Sequence, residues 1–257
     1  MSTTLSGIRA RVREDLQDSD DANYRWSNDE VDGAIERVVR EFSQAYPIQQ
    51  QDEITTTEDD KELDISSLSN LLKIVSVEYP MDLSPPYMQR IETWADKLYM
   101  SDEGDGTKKA RVRWHKWHTL PGDTAWVAAT AYALGDIVVP TTLNGYWYEC
   151  TTAGTSGAGE PTWPTTEAGT VDDNTAVWTC RASTIPEQLE EIIVMGATGY
   201  LAMSASAYTT DKATIGGSYA PDDFRQWGKE RLFRYEKRLK AIARNNRVIT
   251  SEFYSDD

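Results

Sequence analysis

The residues able to support catalysis or metal binding are few, and their spacing argues against both. His115 and His118 are the only histidines. A three-residue step on a strand sends two side chains to opposite faces, so we predict a structural role for them and no metal site. The sequence contains no phosphate-binding loop, no dinucleotide fingerprint and no Gly-x-Ser-x-Gly motif. We therefore expect a protein that is not an enzyme and uses no cofactor.

Two acidic clusters invite a calcium interpretation. One contains Asp18, Asp20 and Asp21, and the other contains Asp172 and Asp173. Neither cluster has the alternating ligands, central glycine and distal glutamate of a calcium-binding loop. We therefore predict that both are solvated turns.

The charge and hydropathy of the chain limit its partners. Its 257 residues include 42 acidic and 26 basic ones, a formal net charge of −16. Such a surface repels phosphate on average, so tight non-specific DNA binding is not expected. No stretch approaches the ~18 apolar residues of a membrane helix, and the N-terminus lacks a secretory pattern. We expect synthesis in the cytoplasm and no membrane partner.

Composition divides the chain into a host domain and an insert. Residues 124–180 contain no Lys or Arg but six acidic residues and four of the nine tryptophans. Such a shift is typical of a separate module. We assign residues 123–181 to an inserted small all-β domain, and residues 1–122 with 182–257 to a discontinuous host domain.

Apolar periodicity predicts four helices in the host. Leu5 to Leu16 form a first amphipathic series, and Ser27 with Glu30 form a capping-box pattern ahead of a second helix that Pro47 closes. A third helix begins at residues 185–187 and a fourth near Pro221. Between the second and third we predict short antiparallel strands over about 53–118, with residues 102–106 as a hairpin turn. The fold class we predict is α+β, with a helical-bundle core and a short strand region.

One strand of the host carries alternating cations. Lys109, Arg111 and Arg113 would form a basic stripe on an otherwise acidic protein. The stripe could pair with acidic groups on a neighbouring subunit or touch DNA in a channel. We favour the subunit contact, because three cations bind DNA weakly at cellular salt.

The insert has the composition of a small β module. Residues 136–139, 146–150 and 176–180 predict strands, and Asn144-Gly145 predicts a two-residue hairpin turn. Cys150 and Cys180 each end a predicted strand. They could form a disulfide or remain two half-buried thiols, and we favour the thiols.

The order of motifs in the host resembles the adaptor, or head-completion, proteins of long-tailed bacteriophages. The matching stretches are Tyr24–Ser27, Ala45–Pro47, Val77–Pro80, Arg111–Trp114, His118–Leu120, Thr184–Glu187, Gly196–Tyr200 and Trp227–Leu239. The resemblance covers residues 1–122 and 182–243. It implies a virion protein of the neck, bound as a ring of usually twelve copies below the portal protein. The lower side of such a ring receives a stopper or tail protein, and DNA passes through without specific binding.

The resemblance also implies that the C-terminal helix and tail dock against the portal. In the last helix we predict Trp227 and Tyr235 as outward anchors of an interface, because aromatics often dominate interface energy. The tail carries isolated apolar residues in a polar segment, a pattern suited to ordering on contact with a partner. These residues are Val248, Ile249, Phe253 and Tyr254.

The insert is similar to small chitin-binding-type β modules in the order of its aromatic residues. Trp126, Tyr132, Tyr146-Trp147-Tyr148 and Trp178 carry this similarity. It implies Trp147, Tyr148 and Trp163 as glycan contacts, although a module this small needs most of its aromatics for a core. We favour a decorating insert without a glycan ligand. The alternatives are a carbohydrate-binding protein that acts through the insert, and a stopper or tail-completion protein.

Overall fold

The computed structural model describes residues 4–120, 122, 124–209 and 220–245. The chain divides into two compact units. The first unit combines residues Met1–Phe42 with Thr119–Asp257, and the second is the continuous segment Ser43–His118.

The first unit contains the helices. Within the described residues these are α1 (Leu5–Asp15), α2 (Asn28–Ala45, whose last turn belongs to the second unit), α3 (Glu190–Thr209) and α4 (Ala220–Asn245), and a short 3-10 helix precedes α3 at Glu187–Leu189. None of these helices combines the length and apolarity needed to cross a bilayer.

The start of α2 confirms the predicted capping box. The Ser27 backbone N–H donates to Glu30 Oε2 at 2.8 Å, and the Glu30 N–H donates to Ser27 Oγ at 3.2 Å. Two N–H groups that the helix cannot satisfy internally are thus paired reciprocally. The helix ends at Ala45, two residues before Pro47, as predicted.

Helix α3 is the most apolar helix and packs closely against α2 and α4. A Cβ added to Gly196 would lie 2.8 Å from Val38 Cγ2, and one added to Gly199 would lie 2.8 Å from Leu232 Cδ2. Both positions leave no room for a side chain, so glycine permits the helices to approach. Leu201 and Ala202 are buried one turn further along α3.

A carboxylate links the same three helices. Glu41 of α2 accepts hydrogen bonds from Tyr200 Oη of α3 at 2.9 Å and from Tyr235 Oη of α4 at 2.8 Å. The Arg37 guanidinium lies 3.8 Å from the centre of the Tyr200 ring and 3.2 Å from Glu41. Burial, with Glu41 adding to it, raises the pKa of both tyrosines, so each hydroxyl keeps its proton and donates it.

The second unit is a β structure with its own core. Its strands are β1 (Ile48–Thr55), β2 (Glu62–Asp64), β3 (Leu71–Glu78), β4 (Ile91–Trp94), β5 (Lys97–Met100) and β6 (Lys109–Lys116). They form two three-stranded antiparallel sheets, β1-β6-β3 and β2-β5-β4. Both sheets contribute to one core, which includes Leu63, Val77, Leu98, Val112 and Trp114.

The segment 124–181 of the first unit forms a smaller β module. Its strands are β7 (Ala131–Tyr132), β8 (Ile137–Val138), β9 (Trp147–Thr152), β10 (Gly154–Thr155), β11 (Thr170–Asp173) and β12 (Ala176–Arg181). Four of them form the sheet β11-β12-β9-β8, and β10 pairs with β7. The core of the module is made by Trp126, Val138, Tyr148, Cys150, Ala176, Trp178 and Cys180.

The predicted helical-bundle core is wrong. The structure has four helices and about twelve strands in four antiparallel sheets over its described residues, with 31% helix and 27% strand. The chain is therefore mixed α+β. The strands between α2 and α3 bury a core of their own, whereas we predicted only a short strand region beside a helical core.

Two predicted hairpin turns are also wrong. Residues 102–106 connect β5 to β6, which belong to different sheets, so this segment links two sheets. Asn144-Gly145 lies within the longer connection between β8 and β9, and only Gly145 of the pair has a positive φ. A two-residue type I′ turn requires positive φ at both central residues.

A glycine pair tests the close packing of α3. Gly196→Ala should lower the free energy of unfolding by about 1–3 kcal/mol, since the new methyl group meets Val38 and Tyr235 at 3.0 Å or less. Gly33→Ala is the matched control in α2, where nothing lies within 4 Å of the added Cβ. It should raise stability by up to about 1 kcal/mol. Urea unfolding measures both, and equal effects of the two substitutions would contradict the packing described.

Candidate functional site

The basic stripe on β6 is neutralised within its own unit. Arg111 Nη1 lies 3.2 Å from Glu78 Oε2 and Arg111 Nη2 lies 2.9 Å from Asp82 Oδ1. Arg113 Nη2 lies 3.2 Å from the same Glu78 oxygen, and Lys109 Nζ lies 3.6 Å from Glu53. The three cations of the basic stripe therefore already have intramolecular partners. This weakens the case for a contact of the stripe with another subunit or with DNA.

Glu78 is the centre of this charge cluster. Its side chain is only 3% exposed, so its negative charge requires partners inside the unit. Hydrogen bonds to Asp82 and Glu78 raise the pKa of Arg111, which keeps the guanidinium charged. Glu78 is a site residue that we did not predict from the sequence. The available signal was an acid at the end of a mainly apolar strand, one residue before Tyr79.

The first acidic cluster is not a solvated turn throughout. Asp18 is buried and lies 2.7 Å from Arg13 Nη1, and it accepts the backbone N–H of Arg25 at 2.7 Å. Arg13 donates in turn to the carbonyl oxygen of Trp26 at 3.0 Å, and its guanidinium lies 3.5 Å from the centre of the Tyr24 ring. The Asp18–Arg13 pair therefore organises the connection between α1 and α2. Asp20 and Asp21 are exposed, as predicted.

The second acidic cluster contains a buried carboxylate as well. Asp173 Oδ2 accepts the indole N–H groups of Trp126 at 2.8 Å and of Trp178 at 3.0 Å, and Oδ1 accepts the Gly157 N–H at 2.7 Å. Asp172, the next residue, is exposed. The prediction of a solvated turn is therefore wrong for Asp173, which holds two core tryptophans in place.

Two of the three predicted glycan contacts lie against the core of the β module. Tyr148 is fully buried and donates to the carbonyl oxygen of Pro164 at 2.7 Å. The Trp163 ring centre lies 4.2 Å from that of Tyr148, and its indole N–H donates to Glu160 at 2.8 Å. Tyr148 therefore cannot present its face to a sugar ring. Trp147 is half-buried.

The two cysteines of the module are free thiols in the structure. In the pairing of β9 with β12, Cys150 lies opposite Trp178 and Cys180 lies opposite Tyr148, so the cysteines are diagonal neighbours. Diagonal positions are further apart than a disulfide allows. Burial raises the pKa of both thiols, which lowers the fraction of reactive thiolate.

The histidines have structural surroundings. His118 is buried, its backbone N–H donates to Ser43 Oγ at 3.0 Å, and its Nε2 lies 2.7 Å from the carbonyl oxygen of Tyr46. Burial, and the charge of Lys73, lower the pKa of His115. Among the described residues, no group of three or more His, Cys, Asp or Glu is placed to hold a metal ion.

Helix α4 carries the predicted interface residues of the described part of the chain. Tyr235 is 1% exposed and is bound to Glu41, so its predicted outward orientation is wrong. Trp227 is half-buried and stacks on Phe224 with ring centres 5.7 Å apart. The exposed aromatic of this helix is Phe233, at 68%. The tail residues Val248, Ile249, Phe253 and Tyr254 lie outside the described residues.

Comparison with known proteins identifies no relative of this chain. No protein-family model matches the chain, and no curated protein matches it significantly. Functional inference therefore depends on the residues and their geometry.

The ion pairs of the β6 charge cluster should stabilise the second unit. Arg111→Met should destabilise the second unit by about 3 kcal/mol, because removing one partner leaves the buried Glu78 charge poorly compensated. Lys109→Met is the matched control, since its ion pair is exposed and long, and it should change stability by less than about 0.5 kcal/mol. Native-state hydrogen exchange of residues 48–116 measures both. Equal protection in the two variants would show that the cluster is not a stabilising one.

Asp173 allows the stability of the β module to be tested. Asp173→Ala leaves two buried indole N–H groups without their acceptor, which should cost about 2–4 kcal/mol of the module's stability. Asp172→Ala removes a neighbouring exposed carboxylate and should have little effect. Urea unfolding followed by tryptophan fluorescence compares them, and an Asp173 variant as stable as the Asp172 variant would refute the anchoring role.

Proposed function

We propose that this protein is a head-to-tail adaptor of a tailed bacteriophage, a structural protein of the virion neck that assembles into a ring below the portal. The ring extends the DNA channel and offers a surface to the stopper or tail protein. Its role is geometric and involves no catalysis or cofactor. DNA passes through the ring without specific binding.

The proposal is supported by the side-chain contacts that join the helices of the first unit. The stretches that resemble phage adaptors include several of the residues that pack the helices of the first unit. Trp26 of the Tyr24–Ser27 stretch lies 6.1 Å, between ring centres, from Phe224 of α4. Tyr200 and Tyr235 come from two further stretches and share one carboxylate of α2. In each of these contacts one partner belongs to a stretch that carries the resemblance, which is what a helical framework like that of the adaptors would require.

The β module fits a decorating role better than a glycan-binding one. Tyr148 is buried and Trp163 packs on it, so the aromatic side chains serve the interior of a module with few other large apolar residues. A protein that binds carbohydrate through this module would need exposed aromatic faces. We therefore keep the insert as a passenger of the adaptor.

Electron microscopy of the protein with and without purified portal protein tests the proposal. We expect a ring on the portal, and loss of portal binding when residues 246–257 are removed. Removal of 124–181, with a short linker in its place, is the control and should leave portal binding intact. If the protein without residues 246–257 still binds the portal and also attaches to components of the phage tail, a stopper is favoured. Retention on a glycan array with no portal binding would replace the proposal by carbohydrate binding.

A further inference from the structure

Helix α4 places a row of cations on its solvent face. Between Phe224 and Arg244 it carries eight basic and two acidic residues in a chain of net charge −16. Five exposed cations, spaced four, eight, three and four residues apart, lie on one face of the helix. The exposed Phe233 lies on the same face. The five cations are Arg225, Lys229, Lys237, Lys240 and Arg244, and we call them the α4 basic face.

Among the described residues, this face lies on the side of α4 away from its packing contacts. Phe224, Arg231 and Tyr235, at steps of seven and four, lie on another side of the helix, where Phe224 packs on Trp26 and Arg231 pairs with Asp15. Within the described part of the chain, Lys229, Lys237 and Arg244 form no ion pair. Several unpaired cations on one helix face repel one another, and an acidic surface would relieve that repulsion.

The same unit carries such an acidic surface. The segment Glu14–Glu30, which runs from the last turn of α1 to the first turn of α2, contains seven acidic residues and one basic residue. Glu14, Asp21 and Asp29 are exposed, and no ion pair involving them occurs among the residues described. Because Asp15 and Trp26 contact the inner side of α4, this segment lies across the helix from the α4 basic face. One copy therefore cannot pair the two surfaces with each other.

We propose that the α4 basic face of one copy docks on the Glu14–Glu30 segment of the next copy. Two complementary surfaces on different sides of one unit give a head-to-tail contact, which closes into a ring when the rotation between copies permits. Phe233 supplies an apolar group within this charged interface. The proposal names the subunit contact of the adaptor ring and rests on the proposed function only for the ring's position in the virion.

Charge reversal on full-length protein tests the contact. One variant carries Lys229→Glu, Lys237→Glu and Arg244→Glu, and a second carries Glu14→Lys, Asp21→Lys and Asp29→Lys. Sedimentation velocity over a concentration series should show self-association of the unmodified protein, weakened about tenfold or more in each variant alone. Raising salt from 0.1 M to 1 M should weaken it too, because the screening length falls from about 10 Å to about 3 Å.

Mixing the two variants is the decisive measurement. In the mixture every α4 face meets a segment of opposite charge, so association should return to the level of the unmodified protein. The matched control is Glu58→Lys, Glu92→Lys and Glu103→Lys, which changes three exposed acids of the second unit and should leave association unchanged. Circular dichroism confirms that each variant is folded.

The remaining outcomes separate this proposal from its rivals. Unaltered association of the first variant, failure of the mixture, or a monomeric unmodified protein at every concentration would overturn it. Loss of DNA binding by the first variant, with self-association intact, would assign the face to nucleic acid. If the complementary mixture associates but no copy binds the portal, the subunit contact stands and the adaptor function fails.

Discussion

The helical arrangement depends on one carboxylate, Glu41, which accepts two tyrosine hydroxyls from different helices. Each hydrogen bond to a charged acceptor contributes about 1.5–3 kcal/mol, more than a neutral pair. The bonds also fix rotation, since Tyr200 and Tyr235 must both reach the same side chain of α2. The close approach at Gly196 brings the helices near enough for this geometry. Packing thus supplies proximity, and the carboxylate supplies register.

The same device recurs in the other parts of the chain. Asp18 binds the α1–α2 connection, Glu78 holds two arginines of β6, and Asp173 holds two indoles of the β module. In each case a buried acid collects donors that lie apart in the sequence. An acidic chain with modest apolar content can therefore place part of its negative charge inside, provided that every buried carboxylate is compensated.

Local signals in the sequence predicted local features. Ser27 and Glu30 gave the correct start of α2, because a capping box needs only residues three apart. The helix start predicted at residues 185–187 also depends on neighbouring residues only, and the 3-10 helix that precedes α3 begins at Glu187. Glu78 and Asp173 were missed because they have remote partners: Arg111 is 33 residues from Glu78, and Trp126 is 47 residues from Asp173. Tyr235 was placed outward because aromatics often dominate interface energy, and the apolar spacing of a helix does not show which neighbour covers each side chain.

The strand region was underestimated for a related physical reason. Alternation in β3 is interrupted by register shifts between Leu71 and Lys73 and between Ile74 and Ser76, so the buried side chains do not follow a strict period of two. The shared core of the two sheets joins residues as distant as Leu63 and Trp114. Such pairing is set by contacts between sheets, which no window of a few residues contains.

The distribution of cations relates these features to the proposed subunit contact. Arg13, Arg111 and Arg181 each pair with an acid of their own unit, so their charge stabilises the fold and is not available to a partner. Along α4 the pattern differs, since the inner side uses Arg231 in this way while Lys229 and Lys237 face solvent. Copies with a net charge of −16 repel one another on average, so a contact between them needs a local cationic surface that meets an acidic one. Arg234, Arg238 and Lys240 of this helix also pair with acids, but Lys229, Lys237 and Arg244 form no ion pair among the described residues. We therefore regard α4 as the element best suited to the proposed contact between copies.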